Sequence, residues 1–315
     1  MGKNPGNLIH RYQKLKARTY LIWLPLAITL NLIGWVLSKF WTIRVNSIDA
    51  GRIGGSYPAW TTAVQSLQDC HSPKTFFFLD ATTPHINECW LKLVSSDIWI
   101  IGNVSFGRCF MKVYNNLPPF LQVPTSGFQH VPTRKMLRDS NREQISQVFQ
   151  KSAWFQLKQV FFDPTALQKQ QWRTVLSSMD LAPREYVCFH NRDSAYLESV
   201  FEDQSASFQH HDYRDATVHT YRKSIEKIIS SGLKVVRLGV TTKDTLRIND
   251  NAFVHYAGSS LRSDTSDLAL IYNCKLLVAG ESGMSLPAEV WDIPILYCNW
   301  APIIRPPIYS KNAII

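Results

Sequence analysis

Short apolar segments alternate with helical segments through residues 183–303 of this 315-residue chain, and this pattern restricts the fold most strongly. The segment Tyr186 to Phe189 has the composition of a buried strand, and four further strands are predicted in "LKVVRLG", "AFVHYAG", "KLLVAG" and "IPILYCNW". The intervening "TVHTYRKSIEKIISSG" has helical periodicity, and "SDTSDLALIYNC" starts with a capping Ser263 or Asp264. Such alternation predicts an α/β fold with a parallel sheet, in a Rossmann-like lobe over residues 183–315.

A second α/β unit is predicted before this lobe. A short strand from Thr42 to Val45 leads to a glycine-rich turn, Gly51 to Gly55, and "KTFFFLDATT" and "DIWIIGN" read as later strands. Glutamine-rich helical segments follow up to residue 182. We therefore expect an N-terminal lobe with a helical bridge over residues 42–182.

The N-terminal residues predict a membrane anchor. Residues 1–19 form a basic tail, and the uncharged "YLIWLPLAITLNLIGWVL" follows it. As a helix this stretch would span ~27 Å, close to the ~30 Å hydrocarbon core of a bilayer. A signal peptide and a buried helix are the alternatives. We predict an anchor over residues 20–41, with the remainder of the chain on the cytoplasmic face, because its cysteines are typical of a reducing compartment.

The charge and cysteine content exclude some partners. The formal net charge is +10, but five of the basic residues lie in the tail, and no basic stripe with interleaved aromatics indicates nucleic-acid binding. The six cysteines show no zinc spacing. The adjacent histidines in "QHHDYRD" are a weak metal motif, so neither a metal nor another cofactor is expected.

Polar residues follow three predicted strands at their carboxyl ends. These clusters are His190–Asp193, Arg237–Gly239 and Gly280–Ser285. Carboxyl ends of parallel strands share one edge of the sheet, so the clusters should converge there. Two guanidinium groups and a Gly/Ser turn favour a diphosphate ligand. Ordinary surface or structural ion pairs of Arg192 and Arg237 are the alternative interpretation.

The segments "YVCFHNRDSAY", "DYRDATVHTYRKSIEKIISSGLKVVRLG" and "SDTSDLALIYNCKLLVAGESGMSLPAEVWDIPILYCNW" resemble a bacterial family of proposed glycosyltransferases. That family has a strand ending in His-x-Arg-Asp, then Tyr-Arg, a Val-Val/Ile-Arg-x-Gly strand, a helix with Asp before Leu, and a strand ending in Ser-Gly. "GRIGG" is similar to its early loop, although the family often has His where this chain has Gly55. More distantly, the family is similar to fucosyltransferases of the GT-B type.

The resemblance implies a GT-B-like fold of two Rossmann-like lobes, in which Arg192 would hold the donor diphosphate with His190 beside it. Independently of the resemblance, Asp193 or Asp80 could activate the acceptor hydroxyl. The expected donor-binding residues are Arg237, Gly239, Asp267, Glu281, Ser282, Gly283, Arg52, Gly54 and Gly55.

The function predicted from these features is a membrane-associated, metal-independent glycosyltransferase. It would move a sugar from a nucleotide-diphospho-sugar to a glycan, polysaccharide or lipid-linked acceptor. Two alternatives remain open at this point. One is an enzyme like the polysaccharide pyruvyl transferases, and the other is a non-catalytic, membrane-tethered protein of polysaccharide assembly.

Overall fold

The computed structural model describes residues 22–40, 43–49, 74–80, 87–93, 98–101, 103–122, 162–200, 212–300 and 312–314. The chain divides into two compact units. The described residues up to 122, apart from 87–93, belong to the first unit, and residues 87–93 and 162–314 belong to the second.

The first unit contains a three-stranded parallel sheet. Its strands are β1 (Ile43–Asp49), β2 (Lys74–Asp80) and β3 (Ile98–Ile101), in the order β1-β2-β3. Helix α3 (Val104–Asn116) follows β3, and the side chain of Asn103 caps it by accepting a hydrogen bond from the backbone N–H of Phe106 at 2.9 Å. Strand β1 continues to Asp49, four residues beyond the predicted end at Val45.

Helix α1 covers residues 22–37 and packs against α3. Ala27 and Asn31 are 0% and 1% exposed, and Ala27 lies in a cluster with Phe106 and Phe110 of α3. The indole N–H of Trp35 donates to the backbone carbonyl of Phe120 at 2.6 Å. One side of α1 is therefore part of the apolar core of the first unit.

No helix within the described ranges is both long enough and apolar enough to span a bilayer. The predicted localisation on a membrane anchor over residues 20–41 is therefore wrong, and the membrane partner that was inferred from it is not supported. The apolar run misled the prediction because side chains that pack on a neighbouring helix have the same hydropathy as side chains that face lipid. In α1 the buried Ala27 and Asn31 mark the side that packs on protein.

The second unit contains a six-stranded sheet in which every neighbouring pair is parallel. Its strands in chain order are β4 (Tyr186–His190), β5 (Lys234–Arg237), β6 (Phe253–Val254), β7 (Leu276–Ala279), β8 (Ile295–Tyr297) and β9 (Ala313–Ile314). They are arranged as β6-β5-β4-β7-β8-β9, the doubly wound order of dinucleotide-binding folds. The predicted parallel α/β fold is confirmed for this unit.

Six helices are described in the second unit. They are α2 (Glu88–Leu91), α4 (Ala166–Ser177), α5 (Ala195–Val200), α6 (Arg222–Ser230), α7 (Asp264–Asn273) and α8 (Ser285–Val290). A 3-10 turn, Val218–Tyr221, precedes α6, and Gly232 follows α6 with a φ of 84°, as expected of a terminating glycine.

Aromatic side chains hold α2 and α4 against the body of the second unit. Trp90 of α2 is 1% exposed and stacks on Phe162 with ring centroids 4.7 Å apart. Trp172 of α4 meets Trp291 edge to face at 5.7 Å, and Trp291 also contacts Trp90 at 6.0 Å. This cluster joins α2 and α4 to Trp291, at the carboxyl end of α8.

The strand order reverses direction between β4 and β7, which are neighbours although β5 and β6 separate them in the chain. His190 at the end of β4 is aligned with Ala279 at the end of β7. Such a switch point leaves a crevice beyond the carboxyl ends of the two strands, where α/β proteins bind ligands. Two of the three predicted polar clusters, His190–Asp193 and Gly280–Ser285, begin at this point.

Candidate active site

The two clusters at the switch point are in direct contact. The hydroxyl oxygen of Ser282 lies 3.3 Å from Nδ1 of His190, and the same oxygen accepts a hydrogen bond from the backbone N–H of Met284 at 3.3 Å. A neutral imidazole that carries its proton on Nε2 can accept a hydrogen bond from the Ser282 hydroxyl at Nδ1. The structure thus brings together two residues that lie 92 positions apart in the chain.

His190 is held in its neutral form. Burial lowers its pKa to about 4, and the nearby guanidinium groups of Arg237 and Arg192 contribute further to this shift. At neutral pH the imidazole can therefore donate or accept a hydrogen bond, but it does not provide a positive charge for an anion.

Arg192 forms an ion pair, as the alternative interpretation of the sequence allowed, but with a partner that the sequence did not indicate. That partner is Asp215, and the two side chains are 10% and 23% exposed. The backbone carbonyl of Arg192 also accepts a hydrogen bond from the N–H of Ala216 at 2.9 Å. Burial lowers the pKa of Arg192, whereas Asp215 counteracts that shift. The loop 212–217 therefore fixes the guanidinium group beside the switch point.

A second arginine lies close to Arg192 and was absent from the predicted site. Arg214 is 15% exposed, and its NH1 lies 3.4 Å from Oε2 of Glu281. Its positive charge is near enough to lower the pKa of Arg192. The only hint in the sequence was the Tyr-Arg pair of the family resemblance, which gave no role to the arginine.

Arg237 lies in a different environment from the other two arginines. It is 1% exposed, its NH1 donates to the backbone carbonyl of Asp244 at 2.7 Å, and its NH2 donates to Oδ1 of Asn191 at 3.2 Å. Asn191 in turn donates through Nδ2 to the carbonyl of Ala216 at 3.2 Å. Arg237 and Asn191 therefore connect the three loops that follow β4, β5 and α5.

Gly239 follows Arg237 in a conformation that favours glycine. Its φ is 148°, and a Cβ atom added there would lie 3.3 Å from the methyl group of Thr242. The predicted donor-binding role of Arg237 and Gly239 stays a prediction, while the contacts of both residues are those of a tightly packed turn.

Asp193 accepts two backbone hydrogen bonds. Its Oδ1 accepts from Ala195 at 3.1 Å, and its Oδ2 accepts from Lys243 at 3.2 Å. The carboxylate thus caps the start of α5 and joins the loop after β4 to the loop after β5. Each oxygen keeps a further lone pair, and the predicted catalytic role of Asp193 stays a prediction.

Asp267 is buried at 3% exposure and is fully engaged inside the unit. Its Oδ1 accepts from the hydroxyl of Tyr256 at 2.8 Å, and its Oδ2 accepts from NH2 of Arg262 at 2.8 Å. Burial raises the pKa of Asp267, and the Arg262 and Tyr256 contacts oppose that shift. These contacts hold the loop before α7 in place; the predicted donor contact of Asp267 stays a prediction.

The turn from Glu281 to Ser285 uses several of its own N–H groups internally. The amide of Ser285 donates to the carbonyl of Ser282 at 3.2 Å, and that of Leu286 donates to the carbonyl of Gly283 at 3.4 Å. Below the turn, Glu289 accepts from Ser285 at 3.4 Å and from the Tyr297 hydroxyl at 2.5 Å. The backbone amides of Met284, Ser285 and Leu286 are therefore engaged within the turn and the start of α8.

The structure does not describe the remaining residues of the predicted site. Arg52, Gly54 and Gly55 fall outside the described residues, and the side chain of Asp80 is not described. Among the described residues, no three His, Cys, Asp or Glu side chains are grouped so that they could hold a metal ion.

No protein-family model matches the chain, and no curated protein sequence matches it significantly. Its fold is similar to that of E. coli ADP-heptose lipopolysaccharide heptosyltransferase II, with a TM-score of 0.51 and 14% sequence identity over 86% of this chain and 89% of that chain. E. coli heptosyltransferase WaaC with ADP aligns with a TM-score of 0.45 and 13% identity over 86% and 92% of the two chains. The family 9 glycosyl transferase from Veillonella parvula aligns at 0.44 and 12%, over 86% and 85%. The first likeness extends the α/β, parallel-sheet assignment to most of the chain.

Proposed function

We propose that the protein is a glycosyltransferase that uses a nucleotide-diphospho-sugar as donor. The observation that carries the proposal is the position of Arg192, Glu281 and Ser282 at the switch point between β4 and β7. Dinucleotide-type sheets bind their nucleotide ligands at this point. The fold likeness to a heptosyltransferase agrees with the proposed function. The motif resemblance around His190 and Arg192 supports it further.

In the proposed reaction, Arg192 binds the diphosphate and stabilises the negative charge that develops on it when the glycosidic bond to the donor breaks. A guanidinium fork matches two phosphate oxygens, and a site shielded from water strengthens that interaction. We propose that this charge stabilisation proceeds without a metal ion, since guanidinium groups can neutralise the leaving diphosphate.

Glu281 and Ser282 suit hydroxyl groups of the donor. A carboxylate accepts hydrogen bonds from ribose or sugar hydroxyls, and Ser282 lies against the neutral His190. Gly283 allows the turn to approach the ligand closely. The proposal retains Arg52, Gly54 and Gly55 as further donor contacts, on the strength of the motif resemblance alone.

The acceptor in this proposal is a hydroxyl group of a glycan, polysaccharide or lipid-linked saccharide. We propose Asp193 or Asp80, the two acids predicted from the sequence, as the base that activates this hydroxyl. Each carboxylate oxygen of Asp193 accepts one backbone hydrogen bond and keeps a further lone pair for a proton. The same two bonds hold the loop that carries Arg192.

The proposal is tested by measuring binding of ADP, UDP, GDP, CDP and their sugar conjugates to the purified full chain. Calorimetry or thermal shift should show one nucleoside diphosphate bound in the micromolar range and more tightly than its monophosphate. Release of the diphosphate from the matching nucleotide sugar should then require an added saccharide acceptor. Activity that depends on phosphoenolpyruvate, or a complete lack of nucleotide binding and turnover, would refute the proposed donor.

A further inference from the structure

Four charged side chains form two adjacent ion pairs at the carboxyl edge of the second sheet. Arg192 pairs with Asp215, and Arg214 pairs with Glu281. The two guanidinium groups are close enough that Arg214 lowers the pKa of Arg192. Two like charges in a poorly solvated position repel each other, so their proximity is favourable only where negative groups lie between or beside them.

The pair formed by Arg214 and Glu281 leaves hydrogen-bonding capacity unused. The distance of 3.4 Å from NH1 to Oε2 is long for an ion pair between mostly buried groups. The Nε–H of Arg214 and Oε2 of Glu281 are both buried without a hydrogen-bond partner among the described residues. Buried polar atoms are normally satisfied. The Nε–H of Arg237 is also buried without a partner in the described part of the chain, but the unpaired atoms of Arg214 and Glu281 belong to one long ion pair, and this combination indicates an incomplete site.

We propose that Arg214 is the second guanidinium group that binds the donor diphosphate, together with Arg192, and that Glu281 is its partner only while no diphosphate is bound. This inference rests on the function proposed above. Phosphate oxygens accept hydrogen bonds from the Nε and NH groups of an arginine fork, so a diphosphate would satisfy the buried Nε–H of Arg214.

Arg237, which the sequence assigned to this role, is a poorer candidate. Its NH1 and NH2 are committed to Asp244 and Asn191, and the side chain is 1% exposed. Reaching a ligand would break both hydrogen bonds. Arg214, by contrast, would give up one long contact to Glu281. The diphosphate must compete with that carboxylate for Arg214. Glu281 therefore lowers the affinity of the site for anions.

Inorganic pyrophosphate is the probe that isolates this effect, because it carries no ribose or sugar for Glu281 to bind. Calorimetry with the full chain should show that Arg214→Gln weakens pyrophosphate binding about 10- to 100-fold, the usual range for loss of a charged hydrogen-bonding partner. Glu281→Gln should bind pyrophosphate as tightly as the unmodified protein or more tightly. Arg214→Lys, which keeps the charge and loses the fork, should fall between them.

Arg184→Gln is the matched control. Arg184 lies two residues before β4 and donates to the backbone carbonyl of Cys274, so it lies at the opposite edge of the sheet. Its replacement should leave pyrophosphate affinity unchanged. Thermal melts of every variant identify those that have lost their fold, and Arg214→Lys serves if Arg214→Gln does not fold.

The outcomes separate this inference from the proposed function. If the unmodified protein binds pyrophosphate and nucleoside diphosphates, and Arg214→Gln and Arg214→Lys bind them equally well, Arg214 has no part in the site. Equal losses in Arg214→Gln and Glu281→Gln would mean a shared structural role and would also overturn the inference. Binding of pyrophosphate through Arg214 without any nucleoside diphosphate would uphold the inference and remove the proposed donor. No binding of either would overturn both.

Discussion

Arg192 and Arg237 both lie near the carboxyl ends of neighbouring parallel strands, yet the two regions differ in almost every contact. The guanidinium of Arg192 is paired with Asp215 and lies beside a second arginine at the switch point. That of Arg237 is 1% exposed and is held by a backbone carbonyl and by the amide of Asn191.

The difference shows how one kind of side chain serves two purposes at one edge of a sheet. A buried arginine that donates its hydrogen bonds to loop residues has a structural role. Its removal leaves unsatisfied acceptors in the interior. An arginine whose partner is a partly exposed carboxylate can exchange that partner for a ligand anion. Stability measurements should therefore respond to Arg237, and binding measurements to Arg192.

The largest effect is expected for Arg237→Met. This change leaves the carbonyl of Asp244 and the Oδ1 of Asn191 without their donor, and it should lower the free energy of unfolding by about 3 kcal/mol. Urea denaturation measures the loss, and Arg173→Met on the exposed side of α4 is the matched control, with a change below about 0.5 kcal/mol. If the free energy of unfolding fell by as little as in the control, Arg237 would not have this structural role.

Arg192→Lys should have the next largest effect, on binding and not on stability. Lysine keeps the positive charge opposite Asp215 but loses the planar fork, so affinity for the nucleoside diphosphate should fall about 100-fold, or about 2.7 kcal/mol. Titration calorimetry gives the affinity, and the thermal midpoint should stay within a few degrees of that of the unmodified protein. Full affinity in the folded variant would exclude Arg192 as the phosphate-binding group.

His190 gives a smaller, pH-dependent effect. Its folded pKa of about 4 lies below the unfolded value of ~6.5, so the unfolded chain binds more protons between these limits. The stability contributed by the neutral ring is complete above pH ~6.5 and is lost as the pH falls toward about 4. With allowance for partial exposure, the loss is about 2 kcal/mol.

His190→Asn isolates this contribution because asparagine can still accept from Ser282 and does not titrate. Denaturation curves at a series of pH values should show a shallower loss of stability in the variant between pH ~6.5 and 4 than in the unmodified protein. Parallel pH profiles would mean that His190 titrates alike in the folded and unfolded chains.

The smallest effect is expected for the exposed ion pair between Lys243 and Glu198, whose charged atoms are 3.0 Å apart. The two side chains are 50% and 52% exposed, and exposed ion pairs contribute little. Glu198→Gln should change the free energy of unfolding by less than about 0.5 kcal/mol and leave nucleotide affinity unchanged. A larger change in nucleotide affinity would show that the binding site extends from the switch point to this ion pair.

Much of the second sheet was predictable because its strands are short apolar runs with polar residues at their ends. The segment Tyr186 to Phe189 was predicted as a strand, and β4 extends it by one residue to His190. The last strand, β9, has only two residues, Ala313–Ile314, and no apolar periodicity can identify so short a segment. The helix at residues 22–37 was predicted as helical but assigned to the wrong environment.

Within the site, the sequence alone indicated which strand ends carry chemistry. Residues 190–193 and 280–285 break sharply from apolar to polar, and a parallel sheet must bring them to the same edge. That conclusion follows from the alternation of strands and helices and needs no contact information. The tertiary structure decided which partners the side chains meet there.

Tertiary contacts placed Asp215 against Arg192, gave Arg237 to Asn191 and Asp244, and brought Arg214 beside the switch point. Hydropathy and periodicity report whether a side chain is apolar and which side of an element it occupies. They do not report which distant loop will lie within 3–4 Å of it, because that depends on how the loops after β4, β5 and α5 close over one another. For the same reason, the apolar run at residues 22–37 could be read as lipid-facing until its contacts with α3 were seen.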